Sequence, residues 1–226
     1  MKEIKIKSLE NYTEFIAQNC TFSTVFRGHT NIDFELIPSV GRTWKRQPIE
    51  KVVKAETNML RIFRTSSFTF LKSYNIIELE LLAIAQYHGM KTRLLDWTRS
   101  ALIALFFACE KDENVDACVY ILNDKKINFI DGPAAHEIKP FSLTKDIFYI
   151  PHTSTNRIMA QSGLFLVFRN PLEGFTSEAL IKVIIPKGIK KSIIHRLQIL
   201  GITKAVLFPD LDGLSRYINY SFDLGY

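Results

Sequence analysis

Arg27 is the first residue whose surroundings suggest chemistry. It follows the apolar pair Val25-Phe26 and precedes Gly28, in a short segment with β-strand propensity. An arginine at the end of a hydrophobic strand is well placed to bind an anion, because its planar guanidinium pairs with phosphate or carboxylate. Gly28 would then let a ligand approach the backbone. The alternative is structural, with Arg27 in an ion pair and Gly28 in a turn, and these residues taken alone favour it.

A second group of polar residues lies between Gln86 and Thr98. His88, Arg93, Asp96 and Thr98 fall within a few positions of one another, around a predicted helix end and a short strand. Such a group can form a polar site. It can equally be structural, with Asp96 or Thr98 as the N-cap of the next helix, or with Arg93 and Asp96 paired to each other. The sequence leaves both readings open.

Two further groups follow later in the chain. Asn156, Arg157 and Gln161 precede an apolar run of strand length, so they either reach the same pocket or satisfy loop carbonyls. Asp210 follows Pro209 at the end of another apolar run. For Asp210 the structural interpretation is favoured, as the cap of the last helix.

Several other chemistries lack their sequence signature. There is no GxGxxG, Walker, GxSxG or HExxH motif, and the five histidines and three cysteines have no ligand-like spacing, so no metal is predicted. The net charge of +6 favours anionic partners, with nucleotides and nucleic acid as candidates, although it also fits plain solubility. The longest apolar run is too short to span a bilayer, and the first residues do not resemble a signal peptide, so we expect a cytoplasmic protein without a membrane partner.

Hydrophobic periodicity and turn residues predict the elements that must position these groups. Helices are predicted over residues 8–19, 48–64, 76–89, 100–111, 193–200 and 211–218. Strands are predicted over 22–26, 94–95, 118–122, 164–168, 180–185 and 205–208, with a hairpin-like connection between 168 and 180. The predicted fold class is α+β: one domain over 1–226, with a helix-rich N-terminal half packed on a mixed, mainly antiparallel sheet.

The four groups, in this order, resemble the FRG domain family. That family is named for a Phe-Arg-Gly motif, matched by residues 26–28, and its longest motif is similar to Ala85-Gln86 and to residues 89–98. Residues 156–165 and 201–214 resemble its later motifs, so the likeness extends from about 20 to 220. The family usually has His-Tyr where this chain has Tyr87-His88. On a helix that exchange turns a ring by about 100°, which argues against a catalytic histidine here.

A weaker, fold-level resemblance connects the chain to ADP-ribosyltransferases of the arginine-serine-glutamate type. It implies an NAD-consuming enzyme acting as a toxin or defence effector, and NAD as a candidate substrate. The catalytic residues it implies are Arg27, Asp96, Thr98 and Gln161. The cofactor-binding residues it implies are Arg27, Gly28, Tyr87, His88, Arg93, Asn156 and Arg157.

That resemblance is incomplete at the late strand. The family's catalytic glutamate has no counterpart in Gln161-Ser162-Gly163, and a neutral glutamine stabilises a developing positive charge less well. Asp96 and Asp210 are the candidate replacements. The alternative function is a non-catalytic module that binds RNA, a nucleotide or a protein partner.

Overall fold

A mixed sheet organises the computed structural model, which describes residues 1–71, 75–111, 114–124, 127–152 and 156–223. Its strands in the described residues are β1 (Lys2–Lys5), β2 (Val25–His29), β3 (Leu94–Thr98), β4 (Ala117–Leu122), β5 (Phe129–Ile130), β6 (Ile147–Tyr149), β7 (Gly163–Val167) and β8 (Leu180–Ile185). Their order across the sheet is β1-β8-β4-β2-β3-β7-β6-β5. The pairs β1–β8 and β5–β6 are parallel and the others antiparallel, which confirms the predicted mixed α+β class.

Helices cover the sheet and connect its strands. They are α1 (Leu9–Asn19), α2 (Ser39–Trp44), α3 (Ile49–Ser66), α4 (Phe68–Leu71), α5 (Glu78–Tyr87), α6 (Ala101–Cys109), α7 (Asn156–Ala160), α8 (Lys187–Ile199), α9 (Lys204–Leu207) and α10 (Leu211–Asp223), with 3-10 turns at Gly132–Glu137 and Pro140–Ser142. The Ser8 hydroxyl accepts a hydrogen bond from the Asn11 amide, so the predicted start of the first helix is confirmed. Gly89, just after α5, has φ +89°, a conformation that glycine adopts without strain.

The buried helix α6 lies directly on strand β2. A Cβ atom added to Gly28 would lie 2.0 Å from the Ala104 carbonyl oxygen and 2.7 Å from the Ala108 amide nitrogen. Both of those atoms belong to helix backbone and cannot swing aside, so glycine at position 28 is what permits this contact. Gly28 therefore lies in a strand and not in a turn, and it permits a helix packing contact that the sequence did not predict.

Two predicted features of the second half are wrong, and so is one structural alternative for Asp96 and Thr98. Residues 205–208 do not form a strand; Lys204–Leu207 is the short helix α9, capped by the Thr203 hydroxyl, which accepts from the Val206 amide. Strands β7 and β8 are not joined as a hairpin, because β3, β2 and β4 lie between them in the sheet. The N-cap of α6 is Ser100, and neither Asp96 nor Thr98 takes that place.

Candidate functional site

The sheet opens between its two central strands. Strand β2 pairs with β3 at Phe26 and Thr98 alone, whereas each strand keeps five pairs with its outer neighbour, β4 or β7. Beyond that single pair, residues 27–29 and 96–97 diverge and line a cleft of about 860 Å³. A cavity of this size fits the range of small-molecule sites, roughly 300 to 1,000 Å³.

Arg27 is held at the opening of the sheet with part of its guanidinium left free. Its Nε donates to Nε2 of His29 at 2.9 Å, and its Nη1 donates to the backbone carbonyl of Asp96. The Asp96 carboxylate is 3.9 Å from Nη1 and 67% exposed, while the Arg27 side chain is 16% exposed. Burial lowers the pKa of Arg27 to about 10, so it stays charged at neutral pH. Among the described residues nothing accepts a hydrogen bond from Nη2.

His29 was missed as a site residue and sets the direction of Arg27. Because Nε of arginine is always a donor, Nε2 of His29 must be the acceptor, and Nδ1 then carries the proton and donates to the Phe34 carbonyl at 3.1 Å. Burial, followed by the charge of Arg27, lowers the pKa of His29 to about 3. The available signal was its spacing, since side chains two apart on a strand share a face.

Thr98 and Gln161 line the cleft, but their hydrogen bonds hold the fold together. The Thr98 hydroxyl donates to the Gln161 backbone carbonyl at 2.7 Å and accepts from the Ser100 amide at 3.0 Å. The Gln161 side-chain amide donates to the Leu207 carbonyl at 2.9 Å. The two residues thus join β3 to the end of α7 and to α9, at the closed end of the cleft.

Aromatic and charged side chains form the wall farther from Arg27. The Arg157 guanidinium lies 5.3 Å from the ring centroid of Tyr87 and 4.4 Å from that of Phe208. Glu110, at the C-terminal end of α6, lines the same wall and was not predicted. Burial raises its pKa, and the charges of nearby lysines and arginines oppose that effect. A carboxylate directly after an otherwise apolar helix was the sequence signal for it.

The remaining predicted residues lie outside the cleft. Arg93 is fully buried: its Nε and Nη2 donate to the Glu56 carboxylate at 3.0 and 2.9 Å, and its Nη1 donates to backbone carbonyls. A ligand in the cleft cannot reach Arg93, because its side chain is fully buried. Its partner Glu56 lies 37 positions earlier in the chain and meets it only through tertiary folding. His88 and Asn156 are exposed and do not line the cleft. The carboxylate of Asp210 accepts from the Gly213 amide at 2.7 Å, which confirms its structural interpretation as the cap of α10.

Fold and site together define a mixed α+β protein with an arginine-bearing cleft where its sheet opens. The family model of the FRG domain matches residues 23–117, which include β2, β3, α6 and most of the cleft-lining residues. Over these residues, 95 of the 226, the chain is similar to the FRG domain family. No curated protein and no solved structure matches it, so the resemblance to ADP-ribosyltransferases stays unconfirmed. Within the described residues no helix is both long and apolar enough to cross a membrane.

Proposed function

We propose that the cleft binds a nucleotide with a diphosphate group, of the kind found in NAD, and that Arg27 binds the phosphates. The observation that supports this most directly is the guanidinium of Arg27. It is largely buried, forms two internal hydrogen bonds, and has no acceptor for Nη2 among the described residues, while Arg27 itself lines the cleft. A fixed, partly desolvated guanidinium is the group that proteins use to bind phosphate oxygens through short charge-assisted hydrogen bonds.

The other lining residues fit an anionic, ring-bearing ligand. Arg42 lies close enough to act on the pKa of Arg27 and adds positive charge to the cleft lining, whereas Lys45 is paired with Glu35 at 2.8 Å. Tyr87 and Phe107 supply aromatic surface on the other wall, where the flat ring of a base can stack. Phosphate binding at one end and ring stacking at the other suit a nucleotide better than a simple anion.

The proposed activity is ADP-ribosyl transfer, in a toxin or defence effector. The bond between ribose C1′ and the nicotinamide nitrogen breaks, and nicotinamide leaves with the electron pair. The acceptor, or water, forms the new bond to C1′ and loses a proton. In this proposal Asp96, whose carboxylate lies 3.9 Å from Arg27 Nη1 at the cleft, receives that proton and stabilises the positive ribose.

A non-catalytic module that binds a nucleotide or RNA is the second candidate, and one observation favours it. Thr98 and Gln161, which the resemblance to ADP-ribosyltransferases assigns to catalysis, form hydrogen bonds within the fold. Under this interpretation the cleft holds its ligand without breaking a bond.

Two measurements on the intact chain separate these candidates. Calorimetric titration with ADP-ribose tests binding, and chromatography of a mixture with NAD, with and without cell extract, tests release of nicotinamide. The enzyme interpretation predicts binding together with release that Asp96→Asn abolishes. Binding without release in any extract favours the non-catalytic module, and the absence of ADP-ribose binding refutes nucleotide binding in both forms of the proposal.

A further inference from the structure

Glu110 and Arg157 border the same wall of the cleft without pairing to each other. Within the described residues the Glu110 carboxylate has no hydrogen bond and no ion pair within 4 Å, although the side chain is half-buried. The Arg157 guanidinium contacts the rings of Tyr87 and Phe208 and has no hydrogen-bond acceptor in those residues. Two opposite charges therefore line one cavity without a direct ion pair between them.

Unpaired charges that are partly desolvated are costly, and they gather at binding sites. The Arg157 guanidinium carbon lies over two aromatic rings, and neither ring accepts a conventional hydrogen bond from its N–H groups. Glu110 supplies acceptor oxygens on the same wall, and Phe107 adds an aromatic surface one turn earlier on α6. A ligand that fills the space needs an acceptor for Arg157, a donor for Glu110 and a flat body.

We infer that Glu110 and Arg157 form a subsite for a planar ring whose edge carries a hydrogen-bond donor next to an acceptor. This inference rests on the proposed nucleotide binding and names which part of the nucleotide this wall recognises. Two parts of NAD have that edge: the carboxamide of nicotinamide and the amino edge of adenine. A phosphate would satisfy Arg157 and be repelled by Glu110, and an amine would do the reverse, so neither fits both.

The experiment compares four compounds by calorimetric titration: ADP-ribose, NAD, NAD with a carboxylate in place of the carboxamide, and NAD with hypoxanthine in place of adenine. We expect the wild-type chain to bind one of the two altered dinucleotides at least about tenfold more weakly than NAD, because the change sets an acceptor against Glu110. The analogue that is penalised identifies the ring. Glu110→Gln should remove the penalty, since a neutral amide can donate to the new acceptor.

The control is Glu178→Gln, which makes the same change of charge at an exposed position outside the cleft and should leave the penalty intact. Thermal melting checks the fold of each variant. If Glu110→Gln fails to fold, Arg157→Gln replaces it and should lower the affinity for NAD at least about tenfold. If the ring is nicotinamide, the affinity for ADP-ribose should fall less than that for NAD. If the ring is adenine, both affinities should fall alike.

The outcomes separate the subsite from the proposed function. If the wild-type chain binds none of the four compounds, ADP-ribose included, the proposed nucleotide binding itself is refuted. Binding of ADP-ribose with equal affinity for the three dinucleotides, or a penalty that persists in Glu110→Gln, would overturn the subsite alone.

Discussion

Replacing Arg27 with lysine tests the proposed phosphate site most directly. Lysine keeps the positive charge but loses the planar fork, so it cannot donate to His29 and to the Asp96 carbonyl while also facing the cleft. The two internal hydrogen bonds belong to the folded state with or without ligand. The free Nη2 matters only when a ligand is bound. Stability and affinity should therefore respond separately.

The expected sizes follow from those contacts. Two hydrogen bonds at roughly 0.5–1.5 kcal/mol each predict a loss of about 1–3 kcal/mol of unfolding free energy. That corresponds to a melting temperature lower by roughly 2–10 °C for a chain of this length. A charge-assisted hydrogen bond to phosphate is worth about 1.5–3 kcal/mol, so ADP-ribose should bind roughly 10- to 100-fold more weakly.

Arg99→Lys is the matched control. Arg99 is an exposed residue just after β3, its guanidinium lies over the ring of Phe129, and it does not line the cleft. Its replacement should leave ADP-ribose affinity unchanged in calorimetry. Unchanged affinity in a folded Arg27→Lys protein would refute the role of Arg27 as the phosphate-binding residue. A collapse of the fold in Arg27→Lys would instead assign Arg27 to structure.

Three further predictions concern the frame around the cleft. Gly28→Ala should lower the unfolding free energy by about 3 kcal/mol or more in urea titration, because its Cβ would overlap helix backbone, whereas Gly188→Ala, with nothing within 4 Å, should not. Glu56→Gln should cost about 3–5 kcal/mol in the same measurement, because it leaves the buried charge of Arg93 without its carboxylate. The folded protein holds His29 neutral down to about pH 3, whereas the unfolded chain protonates it near pH 6.5. The unfolding free energy should therefore fall as the pH drops from about 6.5 towards about 3. Urea titration at several pH values should show a weaker dependence on pH in His29→Gln.

Helix caps and the spacing of apolar residues predicted those helices whose formation depends on such local signals. Ser8 and the apolar spacing after it placed α1, and the continuous apolar run before Cys109 identified α6 as a buried helix. The short run 205–208 could not be assigned in the same way, because four apolar residues have no period that distinguishes a strand from a helical turn. The Thr203 cap, a local hydrogen bond, decides it.

Contacts between residues distant in sequence explain why Arg93 was wrongly predicted as a site residue. The motifs placed Arg27, Asp96 and Thr98 at strand ends, and strand order then brought them to one opening in the sheet. Arg93 carries the same kind of side chain as Arg27, yet Glu56 on α3 neutralises it in the core. No pattern within residues 86–98 reveals that partner, so only the folded chain separates the two arginines.

The two segments that resemble FRG motifs, residues 26–28 and 85–98, have distinct roles in the sheet. Phe26 and Thr98 form the single pair at which β2 and β3 meet, and Gly28 admits α6 against β2. Thr98 and Gln161 then close one end of the cleft with hydrogen bonds to backbone. These residues build the opening, and Arg27 and Asp96 are among the polar groups that face it. Substitutions at Thr98 should therefore act through stability, and substitutions at Asp96 through the ligand.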